Sequence, residues 1–178
     1  MRRGLTAAAA LLASGVPALG ADSLFDTIFA KADGGRPCYA RAYDAMHLKA
    51  HPRQTVTRIT VSFNPQDAES SGNSPAKFIL RFAFQLRGSH DWHGAPAYCA
   101  AKGRYFSCYL DADGGEFNLT PQNGTLKLDV INRGGIDAAA DQINVEDENF
   151  VGFGKPSGDD LSFVMSRAPR AACDASSQ

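Results

Sequence analysis

Beyond residue 20 the chain lacks any apolar run able to cross a bilayer, whose hydrocarbon core of about 30 Å asks for about 20 residues of helix. It lacks the C-x-x-C spacing, which removes a thioredoxin-type redox pair and the close-paired zinc sites. It has no H-E-x-x-H, so the zinc-protease frame is absent. The Gly-Lys of "GFGKPSG" is followed by Pro156 where a phosphate loop needs Ser or Thr, and Asn149 stands in place of its first glycine. "GNSPA" (72–76) leads from a polar loop into a strand pattern, the reverse of a nucleophile elbow. Excess positive charge is missing too: 18 Lys and Arg face 19 Asp and Glu with no lysine-rich tract, which argues against a nucleic-acid partner. There are no internal repeats, and no low-complexity tract beyond "ESSGNSP".

What is present begins with "MRRGLTAAAALLASGVPALG". Two arginines, an Ala/Leu run and a small-residue end at Gly20 have the layout of a secretory signal peptide. The arginine pair sits too close to the start to favour twin-arginine export, so the general secretory (Sec) route is expected. Cleavage after Gly20 leaves residues 21–178 as a single β-rich domain and moves the formal charge from −1 to −3, because the segment carries Arg2, Arg3 and no acid. No transmembrane segment is expected after cleavage, and the expected location is periplasmic or secreted.

Export makes four cysteines read as two disulfides. "CAAKGRYFSC" folds into a hairpin if Gly103-Arg104 forms a two-residue type II′ turn. Lys102 then faces Tyr105, and counting outward brings Cys99 opposite Cys108 at a non-hydrogen-bonded pair. The α-carbons there lie about 4.5 Å apart, within reach of a disulfide. Cys38 and Cys173 pair by elimination.

Period-two alternation recurs along the chain. "TVTRITVSF" (55–63) places Thr57, Ile59, Val61 and Phe63 on one face, and "KFILRFAFQLR" (77–87) places Phe78, Leu80, Phe82, Phe84 and Leu86 on one face. A symmetric hairpin sets Ile59 opposite Phe82 and Val61 opposite Leu80. Further short strands are expected at "YFSCYL", "EFNL", "TLKLDV", "INV" and "DLSFVM", divided by turns such as Asn123-Gly124 and Gly134-Gly135. "DSLFDTIFAKA" predicts a helix capped by Asp22, with Leu24, Ile28 and Phe29 inward. "YDAMHLKAH" predicts a turn or two of helix before Pro52. The expected fold class is all-β: one antiparallel β-sandwich or small lipocalin-like barrel with a short N-terminal helix and two disulfides. The plan of leader, β domain and two disulfides is similar in outline to small exported lipocalin-like carriers and to periplasmic lysozyme inhibitors. That likeness implies a scaffold and no particular activity.

Two histidine pairs carry the metal-ligating potential: His47 and His51 at i, i+4, and His90 and His93 flanking Asp91 and Trp92. Together they make a four-nitrogen set if their loops meet, which is the basis of an alternative reading as a metal-binding protein or metal-dependent enzyme. "DADGGEF" (111–117) resembles the opening of a calcium loop, but Asp-Gly-Gly is more economically a hairpin turn. Lys49, Arg53, Arg58, Arg81 and Arg87, with Trp92, make a basic stripe suited to an anionic ligand or an acidic partner surface. No catalytic residues and no cofactor are assigned. The expectation is a non-catalytic exported binding protein that meets a protein partner or a small ligand in the cell envelope, the other alternative being a structural envelope component. A lumen filled by Phe78, Phe82, Phe84 and Phe106 rules out the small-ligand carrier version of this expectation.

Overall fold

The computed structural model describes residues 24–30, 37–65, 77–111, 113–139, 150–156 and 158–175. Ten strands follow one another: β1 (Cys38–Ala42), β2 (Val56–Ser62), β3 (Lys77–Leu86), β4 (His93–Lys102), β5 (Tyr105–Leu110), β6 (Glu116–Gln122), β7 (Thr125–Val130), β8 (Ile136–Ala139), β9 (Phe150–Phe153) and β10 (Ser162–Ala168). Helical pieces are a π-helical turn (Asp26–Ala30), α1 (Ala45–Ala50) and α2 (Arg170–Asp174).

The choice between sandwich and barrel resolves to a barrel. Eight strands close in the order β1-β10-β7-β6-β5-β4-β3-β2, every pairing antiparallel, while β8 and β9 form a separate two-stranded sheet. Closure leaves no unpaired edge among these eight strands. The hairpin around Gly103 has the register read from its sequence, Lys102 to Tyr105 through Cys99 to Cys108. Gly103 has φ +64 and Arg104 does not have positive φ, the pattern of a type II′ turn. The two cysteines are disulfide-bonded across a Cα separation of 4.1 Å and point into the lumen.

The β2–β3 register departs from expectation by two residues: Ile59 opposes Phe84 and Val61 opposes Phe82. The offset is uniform from Arg58 to Ser62, and a separate irregularity lies between Val56 and Arg58. It turns Val56 inward opposite Leu86, so Thr57 is not part of the inward row. An even shift keeps each inner face inner. Thr60 and Ser62 point away from the lumen yet are buried, and α2 packs on the outside of β1 and β2, bonded there through Cys173 to Cys38.

The lumen is filled by side chains. Phe78, Phe82, Phe84, Phe106, Phe117, Phe163, Leu80, Leu119, Leu126 and Leu128 are all fully buried. Their rings meet at centroid separations such as 5.1 Å for Phe78–Phe106 and 5.2 Å for Phe82–Phe117. Both ends are stoppered. At one, Phe25 and Phe29 of the N-terminal turn pack on Phe63, Phe78, Phe106 and Tyr39. This turn buries Leu24, Phe25 and Phe29 but only half-buries Ile28, where Leu24, Ile28 and Phe29 were expected; its expected cap, Asp22, lies outside the described residues. At the other end Phe153 of β9 sits against Phe82, Phe84 and Phe163.

Glycine seats this second plug. Gly115 and Gly135 have φ +95 and +89, and a Cβ on Gly115 would collide with the Gly135 carbonyl, one on Gly135 with the Phe153 carbonyl. "DADGGEF" is accordingly a turn, with Gly114 N–H donating to Asp111 and Leu110 N–H to Gly115. Sequence patterning missed β1, β8, β9 and the first half of β4. The strand expected at Ile143 and Val145 lies outside the described residues.

Candidate functional site

Strand alternation brings the β1–β2, β3–β4 and β5–β6 connections and the β8–β9 hairpin to one end of the barrel. Among the described residues, the β1–β2 connection, residues 43–55, carries a polar network at that end. Asp44 caps α1, its carboxylate accepting from His47 N–H at 2.7 Å. Beyond Ala50 the chain turns at His51 and Pro52, leaving carbonyls with no helical partner. Arg87, just past β3, supplies one: its Nη2 donates to the carbonyls of Leu48 (3.1 Å), His51 (3.1 Å) and Gln54 (2.9 Å).

Two buried polar side chains complete the clasp. Gln54 donates its amide nitrogen to the Val56 carbonyl at 2.8 Å, which turns its oxygen toward His47 Nε2 at 3.0 Å. The Gln54 oxygen can only accept, so His47 Nε2 carries the proton in this contact. Asp160, 2% exposed, accepts from Thr55 N–H (2.6 Å), Thr55 Oγ1 (2.6 Å) and Val56 N–H (3.1 Å). A buried carboxylate is retained when its lone pairs are met in this way. Arg53 and Asp159 form a surface ion pair at 2.8 Å, of the exposed kind worth little to stability.

Along this segment three rings form a ladder at i, i+4, i+8, beginning with Tyr43, which packs against the core near Phe163. Tyr43 stacks on His47 with centroids 4.5 Å apart, and His47 stacks on His51 at 4.4 Å. The Arg41 guanidinium lies 4.9 Å from the Tyr43 ring centroid, a cation–π contact. Burial pushes the Tyr43 hydroxyl above its usual range; Arg41 opposes that push and Asp160 adds to it. Tyr43 is thus a neutral, ring-presenting residue near neutrality rather than a proton acceptor. Met46 is 79% exposed beside this ladder.

The expected site residues distribute as follows. His47 and His51 are together but stack face to face. His90 is exposed, and its carbonyl accepts from Gln85 Nε2 at 2.6 Å. His93 belongs to β4, buried with its ring 5.6 Å from Phe84 and its Nδ1 without a hydrogen-bond partner among the described residues. No group of three His, Cys, Asp or Glu placed to hold a metal occurs among the described residues, so the four histidines do not form one set. Lys49 and Arg58 are exposed, Arg53 is paired, Arg81 projects outward from β3, and Trp92 is half-buried. Arg87 is a structural clasp rather than a free ligand-binding cation. Tyr43, Gln54 and Asp160 were missed. Tyr43 had a signal, its i−4 spacing to His47. Asp160 had none, lying 105 residues from the amides it binds.

Replacing Arg87 by Ala is expected to free the α1 segment while sparing the barrel. Amide hydrogen exchange at Leu48, His51 and Gln54, each now donating within the segment, should quicken about tenfold or more, with β4–β7 unchanged. Unaltered exchange there would mean that the three-carbonyl contact does not hold the loop.

No protein-family model, no curated protein and no solved structure matches this chain.

Proposed function

We propose that the protein is exported by the Sec route, loses residues 1–20, and acts in the periplasm or outside the cell as a non-catalytic binding protein that meets a protein partner through the α1 end of its barrel. One observation carries this reading: Phe78, Phe82, Phe84 and Phe106 occupy the lumen with rings in contact. A small apolar ligand has no room there, so recognition belongs to the outside of the molecule. The two disulfides suit an oxidising compartment. The clasped α1 segment supports the choice of surface, since a loop held by Arg87, Gln54 and Asp160 loses little conformational freedom on binding. It offers Met46, the His51 ring, Lys49 and Arg53, the mixture of aromatic, methionine and arginine groups typical of protein interfaces.

Two measurements test it. The N-terminus of the protein recovered from the periplasm or medium should be Ala21. A photo-crosslinking residue introduced at Met46 should capture a stoichiometric protein partner in the native cell envelope, and Lys49→Glu with Arg53→Glu should reduce that capture at least about tenfold. The same residue at exposed Val164 on the barrel wall should capture nothing comparable. An uncleaved leader sinks the export part, and equal capture at both positions sinks the assignment to the α1 end.

A further inference from the structure

The outward positions of β3, β4 and β5 carry Lys77, Arg81 and Lys102 and no acidic residue, in a chain whose net charge is −1. Arg104, in the β4–β5 turn, adds to this charge. Tyrosines share the face: Tyr98 and Tyr109 are cross-strand partners whose rings stack 5.3 Å apart at 20°, and Tyr105 pairs with Lys102. Tyr109 and Tyr105 are 52% and 37% exposed. Between the two rows stands the pair Ala100–Ser107. Small side chains flanked by tall ones make a trough across β4 and β5, closed on the β3 side by Lys77, the partner of Ala100, with Tyr98 and Tyr109 as one wall and Lys102 and Tyr105 as the other. The walls are four residues apart along each strand, about 13 Å. Glu116, beyond Tyr109 on β6, bounds the face on that side.

We propose that this trough binds an acidic polysaccharide, with sugar rings lying against Tyr98 and Tyr109 and carboxylate groups meeting Lys102 and Arg104. Tyrosine rings offer flat apolar surface to the C–H faces of sugars, and the cations supply the charge complementarity a uronic-acid chain needs. The span between the walls is too long for one sugar ring and suits a linear polymer. An acidic protein would match the same cations and tyrosines, but a trough between two rows of tall side chains suits an extended chain better than a folded surface. This surface is separate from the α1 end and stands or falls without it.

Titration of the purified protein, disulfides intact, with a polygalacturonate oligosaccharide tests the assignment. Saturable binding is expected that weakens with added salt and falls about tenfold or more for the fully methyl-esterified oligosaccharide. Tyr109→Thr, which keeps a strand-favouring residue at an outward position, should weaken binding about tenfold, as should Lys102→Ala with Arg104→Ala, all with unchanged circular dichroism and melting. Absence of saturable binding overturns the proposal, as does unchanged affinity in Tyr109→Thr. Equally tight binding of polyglutamate also overturns it, in favour of a surface that reads charge on an acidic protein.

Discussion

Replacing Cys38 and Cys173 together by alanine is expected to lower the free energy of unfolding by about 5 kcal/mol. Their disulfide spans 135 residues, and the loop-closure entropy it removes from the unfolded chain grows with that span to roughly this figure. Cys99 and Cys108 are 9 residues apart, so the same model gives about 2.5 kcal/mol for their bond. The long bond also acts on the native side. β1 is the seam of the barrel, hydrogen-bonded to β2 on one side and β10 on the other. α2, tied to β1 by Cys173, packs on the outside of β1 and β2, where the outward Thr60 and Ser62 are buried. Opening the bond frees α2 and wets a buried outer face at the place where the barrel closes. A domain with the usual 5–15 kcal/mol of stability is left marginal or unfolded at 37 °C by such a loss. Urea denaturation of the two double-alanine variants, followed by circular dichroism, measures the difference. Equal losses from the two variants, or a larger loss from Cys99→Ala with Cys108→Ala, would show that chain closure is not what the long bond supplies.

How much of this was legible follows from how local each determinant is. The Cys99–Cys108 hairpin was fully readable because a two-residue loop fixes its register and Gly103 permits the turn. β2 and β3 are joined by a longer connection that does not fix register, so their faces were readable and their pairing was not. The bulge was hidden too: it turns Val56 inward in place of Thr57, which reads as an ordinary member of an alternating run. β8 and β9 are four residues each, too short for alternation to stand out, and their role comes from the close glycine approaches at Gly115 and Gly135. The α1 helix was visible in "YDAMHLKAH" with Pro52 behind it. The clasp was not, because Arg87 reaches back 33 to 39 residues and Asp160 reaches back 104 to 105. Arg87 looked like one more surface cation, and nothing near Asp160 in the sequence points to the amides it binds.

The second large effect concerns the plug. Phe153→Ala is expected to cost about 3–5 kcal/mol, the usual range for emptying a buried phenylalanine site. The ring is 3% exposed and lies 4.8 Å from Phe84, 5.4 Å from Phe163 and 6.3 Å from Phe82, centroid to centroid. These partners belong to β3 and β10, hydrogen-bonded within the closed barrel, so they cannot collapse freely into the space, which places the cost toward the upper end. The same rigidity gives the variant a property the native protein lacks. An apolar cavity under β8–β9 should take up a small aromatic such as benzene, raising the melting temperature of Phe153→Ala in proportion to occupancy and leaving the native protein unmoved. Gly135→Val reaches the same end by another route: its side chain would strike the Phe153 carbonyl and strain a backbone at φ +89, lifting the plug as a unit. A stable Phe153→Ala protein indifferent to benzene would mean that the end of the barrel is already open, and the case for recognition on the outer surface would lose its footing.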